Sequence, residues 1–120
     1  MTNQEPTLYR SNVELYDIAF DWDINDEVDW LLNRLGSKCH AILEPGCGSG
    51  RMLKVFAQKG IEVVGLDSST EAISLAQKRI TNMPNASAIL GDMTKFDLGR
   101  MFDGAICPIN TLSILSPAEL

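Results

Sequence analysis

In the stretch ILEPGCGSGRML, residues 42–53, Glu44 stands just ahead of Gly46, Gly48 and Gly50. Glycine at that density suits a backbone wrapped closely around a ligand, because a residue without a Cβ lets other atoms approach the chain. A carboxylate at the mouth of such a loop would repel a phosphate but could hold a cationic amino group. Two further acids extend the set. Asp67 lies about 20 residues beyond the loop, where an α/β crevice takes up ribose hydroxyls. Asp92 follows in the run LGDM, with Met93 next to it. It is placed either to meet an adenine amino group, with Met93 packing beside the ring, or merely to cap the next turn.

Two ligand classes use a glycine loop between a first strand and its helix. For NAD or FAD the loop reads Gly-x-Gly-x-x-Gly and the pyrophosphate sits at the helix N-terminus, where N–H groups and the dipole favour negative charge. Here the pattern is Gly-x-Gly-x-Gly, and Arg51 occupies the place of the third dinucleotide glycine. S-adenosylmethionine carries an ammonium and a sulfonium and no phosphate, so it suits both Glu44 and the glycines. Asp67 fits either cofactor. An NAD(P)-dependent oxidoreductase would require Glu44 to tolerate phosphate.

Composition narrows the classes. The 120 residues, 45% hydrophobic and 22% charged, are enough for one small globular domain. A net charge of −6 argues against sequence-independent binding to nucleic acid, which draws on Lys and Arg. The opening twelve residues have no signal-type apolar core, and no later run approaches the roughly 18 apolar residues of a membrane helix, so a cytoplasmic protein is expected. Cys39, Cys47 and Cys107 form no close C-x-x-C set, and neither a disulfide framework nor a metal site is indicated. His40, the single histidine, receives no role. Asp21, Asp23 and Asn25 imitate the start of a calcium loop. The imitation fails at Asp26, where glycine is needed, and at Leu32, where the bidentate glutamate should stand. The acids from Glu14 to Asp29 are better taken as a solvated face.

The elements that must position these residues follow from periodicity. Ser11 and Glu14 form a capping box ahead of Val13, Tyr16 and Phe20 at helical spacing. Asn25 is expected to cap a second helix bearing Val28, Leu31, Leu32 and Leu35, with Gly36 as its stop. From Ala41 short apolar runs alternate with helical patterns, the signature of βαβ units around a parallel sheet. AILEP, IEVVGLD, SAILGD and FDGAICPI are the expected strands. RMLKVFAQK is the first crossover helix, and Ser68 with Glu71 is expected to cap the next, through Ile73, Ala76 and Ile80. Ser116, Pro117 and Glu119 announce a helix just before the sequence stops at Leu120, which suggests an N-terminal piece of something longer.

Taken in order, EPGCGSG, VVGLDSS, ILGDM and FDGAICPINTLSIL resemble the first four motifs of the Rossmann-like S-adenosylmethionine-dependent methyltransferases, over roughly residues 41–120. LYDIAFDWD is similar, less specifically, to the N-terminal helical lid of small-molecule methyltransferases. The resemblance implies an α/β fold with strand order 3-2-1-4, helices on both faces, a lid over residues 1–36 and a cofactor domain over 37–120. It implies Glu44, Gly46, Cys47 and Gly48 around the methionine end, with Gly50 keeping the loop tight. Asp67 would hold the ribose beside Ser68, and Asp92 and Met93 would frame the adenine. Residues 107–110, including Cys107 and Asn110, would line the cleft near the transferring methyl. CPIN departs from the Asn/Asp-Pro-Pro-aromatic motif of DNA amine methyltransferases, so a small-molecule acceptor is expected.

The family's fifth to seventh strands are absent, which leaves two consequences. The fourth strand would be an open edge, inviting a homodimer. The chain could also be a truncated module that binds the cofactor without catalysis. No general base is assigned, since Asp103 begins the fourth strand and His40 precedes the first.

Overall fold

Apolar runs of strand length separated by amphipathic segments leave a chain few ways to bury both, and a parallel sheet with crossover helices is the outcome. The computed structural model describes residues 23–95 and 97–107. Its elements are α1 (Asn25–Leu35), β1 (Ala41–Pro45), α2 (Arg51–Gln58), β2 (Glu62–Asp67), α3 (Thr70–Arg79), β3 (Ala86–Leu90) and β4 (Gly104–Ala105). The four strands form one sheet in the order β3-β2-β1-β4, every pair parallel, as expected from the sequence. The helix expected after Ser11, the one expected after Ser116, and Asn110 lie outside the described residues.

The core sits between the sheet and the helices. Phe56, Ile42, Leu53, Leu66, Val28 and Val63 are its largest fully buried side chains, each contributing about 1.5–3 kcal/mol by burial. Asn85 ties the α2–β2 turn to the start of β3, its Nδ2 donating to the carbonyls of Ala57 at 3.1 Å and Ile61 at 2.9 Å. Lys59 joins Asp29 at 2.8 Å, linking the end of α2 to α1.

Several expectations need correction. Asn25 is the first residue of α1 rather than its cap; Ile24 holds the cap position and offers no acceptor. Asp23 substitutes, accepting from the Asn25 N–H at 2.9 Å and from Asn25 Nδ2 at 2.7 Å. Ser69, not Ser68, caps α3, its Oγ accepting from the Ala72 N–H at 3.1 Å. The shift arises because β2 runs through to Asp67, whose Oδ1 accepts the Ser69 N–H at 2.9 Å and turns the chain there. Among the described residues β3 is not covered on both faces: Ile89 is 38% and Leu90 53% exposed, on a strand that pairs there with β2 alone. β4 is only two residues long, flanked by bonds from the Asp103 N–H to Ala41 O and from the Ile106 N–H to Leu43 O.

Candidate functional site

The loop after β1 takes its shape from glycine. Gly46, Gly48 and Gly50 have φ of 71°, 58° and 83°, the left-handed region that costs other residues about 1–2 kcal/mol. These alternate reversals fold the loop over the end of β2. There the N–H groups of Gly46 and Cys47 both donate to Leu66 O, at 2.6 and 3.0 Å, and the Gly48 N–H donates to Asp67 Oδ2 at 2.9 Å. α2 then begins at Arg51 with no side-chain cap. On the other flank stands α3. A β-carbon on Gly50 would lie 3.0 Å from the Ala76 Cβ, and Arg79 Nη1 donates to Ser49 O at 3.2 Å and Ser49 Oγ at 3.1 Å.

Glu44 lies under this loop, in register with Gly65 of β2 and only 2% exposed. Its Oε1 finds no hydrogen-bond partner among the described residues. Burial, and then the charge of Asp67, pushes its carboxyl well above the usual glutamate range. A buried carboxyl with an unmet acceptor beside a second carboxyl is a site short of positive charge. Asp67 is itself buried and holds the loop through Gly48 and the next helix through Ser69.

The remaining sequence-predicted residues divide. The Cys47 side chain turns into the core: a β-carbon on Gly65 would come within 2.7 Å of both its Cβ and its Sγ. Burial, then the charges of Glu44 and Asp67, pushes its thiol far above the ordinary cysteine range, so it is no nucleophile. Within the loop its Sγ donates to Gly48 O at 3.6 Å and its N–H to Leu66 O. Asp92, after β3, is exposed, and its Oδ1 accepts from Thr94 Oγ1 at 2.6 Å and from the Thr94 N–H at 2.8 Å. Asp92 thus caps the turn that follows, and those bonds hold its carboxyl below the usual aspartate range. Ser68 is exposed, while Met93 and Cys107 are half-buried. Asp103 lies at the opposite end of the sheet, its Oδ2 accepting from the N–H groups of His40 at 2.8 Å and Ala41 at 2.9 Å. The residues that sequence reasoning missed are Ser49 and Arg79. The spacing of Ile73, Ala76 and Ile80 already put that side of α3 inward, the one signal available for them.

Among the described residues no group of three or more His, Cys, Asp and Glu could hold a metal ion. No helix among them is long and apolar enough to cross a membrane.

The methyltransferase domain family matches residues 42–120, from the middle of β1 onward. The chain belongs to that family. This methyltransferase domain is 31% identical over 116 residues to dTDP-3-amino-3,6-dideoxy-alpha-D-glucopyranose N,N-dimethyltransferase of Streptomyces fradiae, covering 89% of this chain and 44% of the relative. Among solved structures it is similar to CalS10, an amino pentose methyltransferase of Micromonospora echinaspora bound to S-adenosylmethionine. There the TM-score is 0.78 at 29% identity, over 88% of this chain and 46% of CalS10. It is also similar to the glycopeptide N-methyltransferase MtfA complexed with S-adenosylmethionine, with a TM-score of 0.73 at 27% identity, over 83% of this chain and 46% of MtfA. The chain thus spans less than half the length of these relatives.

Proposed function

We propose that the protein binds S-adenosylmethionine at the end of β1 and takes part in methyl transfer to the amine of a small molecule such as an amino sugar. The observation that carries this is Glu44, a buried carboxyl whose Oε1 lacks a partner among the described residues, beside a loop of left-handed glycines. An ammonium answers that deficit, and a pyrophosphate would deepen it. The relatives' own substrates, amino sugars and a glycopeptide, support a small-molecule amine.

When bound, S-adenosylmethionine supplies a methyl group activated by a positive sulfur. Glu44 would accept the ammonium of its methionine end, gaining the partner its Oε1 lacks. Gly46 and Gly48 would keep side chains out of the space above β1, so that the ligand can lie against backbone, while Gly50 lets α3 close on the loop. Asp67 would accept from the ribose hydroxyls while holding Gly48 in place. Asp92 and Met93 follow β3 on the adenine side, with Asp92 exposed and Met93 half-buried. Cys107 and Asn110 follow β4, where the acceptor would approach. A neutral amine is nucleophilic without a general base, so the protein's task is to align it with the methyl, an effect that can reach about 7–11 kcal/mol. A cytoplasmic enzyme without nucleic-acid partners fits this chemistry. Neither the relatives nor the described residues support a homodimer through the β4 edge.

Calorimetric titration with S-adenosylhomocysteine, run beside NAD, tests the assignment. Saturable binding of the former alone is expected. Binding of NAD, or of neither ligand, would overturn it. Turnover with a panel of amino sugars then separates an enzyme from a module that only binds the cofactor.

A further inference from the structure

The glycine loop is held from two sides, and only one side belongs to the sheet. β2 reaches residues 46–48 through Leu66 O and the Asp67 carboxylate. Ser49 and Gly50 are held instead by α3. Ala76 packs against Gly50, and Arg79, three residues on and therefore on the same helical face, donates to both Ser49 O and Ser49 Oγ. Ser49 is only 7% exposed, so loss of the guanidinium would leave its carbonyl poorly solvated. α3 is itself fixed at its start by the Ser69 cap, and the Ser69 N–H hangs on the same Asp67 carboxylate that holds Gly48. One helix thus joins the two halves of the loop's support, with Asp67 at its first turn and Arg79 at its last.

We propose that Arg79 is a positioning residue for cofactor binding: through Ser49 it holds the second half of the glycine loop in the shape that meets the ligand. The inference rests on the cofactor assignment above. Charge-assisted bonds to a backbone carbonyl and a hydroxyl are strong enough to select one shape of a loop whose three glycines allow many. Nη1 makes both bonds to Ser49, so lysine, with three donors on one nitrogen, can restore part of this contact at slightly shorter reach.

The test is a double-mutant cycle read as S-adenosylhomocysteine affinity, with thermal melts of every variant. Arg79→Met is expected to weaken binding about tenfold, the scale of one hydrogen bond to a charged group. Ser49→Ala is expected to weaken binding by less, and to add almost nothing in the Arg79→Met background. Arg79→Lys is expected to recover part of the loss. Arg79→Met that melts lower yet binds as tightly as the parent would show a purely structural role and overturn the proposal, as would strictly additive effects in the cycle. If Arg79→Met does not fold, Arg79→Lys and Ser49→Ala decide the matter, since wild-type affinity in both is incompatible with the proposal. Failure of the parent protein to bind the ligand removes the cofactor assignment as well. Tight binding by parent and Arg79→Met alike removes this inference alone.

Discussion

Glu44 is a burden to the fold before it is of use to a ligand. Its carboxyl is buried, its Oε1 lacks a partner among the described residues, and its proton is retained well above the glutamate value of 4.5. Between 4.5 and its raised folded-state value, the unfolded chain has released this proton while the folded chain still carries it. Stability is then complete below 4.5 and declines as pH rises toward the folded-state value. Glu44→Gln should abolish that decline, so that a plot of melting temperature against pH is flatter in the variant than in the parent. The same variant should lose about 1.5–3 kcal/mol of S-adenosylhomocysteine affinity by calorimetry, the worth of a hydrogen bond to a charged group. A stable variant with unchanged affinity would take Glu44 out of the site. Glu44, the glycines and Asp67 were legible in the sequence because each announces itself by type and order along the chain. Ser49 and Arg79, 30 residues apart, were not, since only the packing of α3 brings them together. Cys47 was legible as a neighbour of the glycines but not in its direction, which depends on the gap that Gly65 leaves across the sheet.

At the scale of elements, β2 is the strand from which the site is hung, and Gly65 in its middle is what allows the loop to lie down on it. A β-carbon there would fall 2.7 Å from Cys47 Cβ, Cys47 Sγ and Leu53 Cδ1. Gly65→Ala should therefore lower stability by about 1–3 kcal/mol, the usual toll of overpacking, read from denaturant unfolding. It should also weaken cofactor binding, because relief requires the loop or α2 to lift. β4 depends on a different device. Asp103 Oδ2 accepts two N–H groups from the start of β1, and those bonds, His40 first, hold its carboxyl below the aspartate value of 3.8. That stabilisation is present above 3.8 and disappears as pH falls through the lower folded-state value. Asp103→Ala should melt below the parent at pH 7, and the gap should close in acid; a gap that persists there would mean that the carboxylate is not what holds β4. The parallel sheet was readable from the βαβ alternation, and its strand order from the resemblance to the family. The exposure of β3 was not, since apolar composition alone does not tell an edge strand from a central one. The start of α3 was misplaced by one residue because two adjacent serines both precede a helical pattern, and only the turn at Asp67 chooses between them.

The whole chain carries 16 acidic against 10 basic residues, and its net charge is −6. Glu44 keeps its proton, so the negative charge at the end of the sheet where the loop folds over is that of Asp67. A field of that sign raises the local concentration of cations and repels phosphates, and it acts before any contact forms. An amino sugar is a cation at neutral pH, and so is the ammonium end of S-adenosylmethionine. Both should arrive faster than neutral analogues of the same size. The amine must then shed its proton to attack, so the field that gathers it also favours its unreactive form. The two effects separate in kinetics: gathering enters KM, and the proton enters the pH dependence of kcat. Salt shortens the Debye length from about 10 Å at 0.1 M to about 3 Å at 1 M, which removes the long-range attraction while leaving buried contacts nearly intact. With a turning-over acceptor in hand, KM for a cationic amine should therefore rise several-fold over that range of ionic strength while kcat holds nearly constant, and a neutral acceptor should show no rise. Equal salt dependence for both acceptors would mean that the acidic surface plays no part in gathering substrate, and that acceptor choice is made by contact alone.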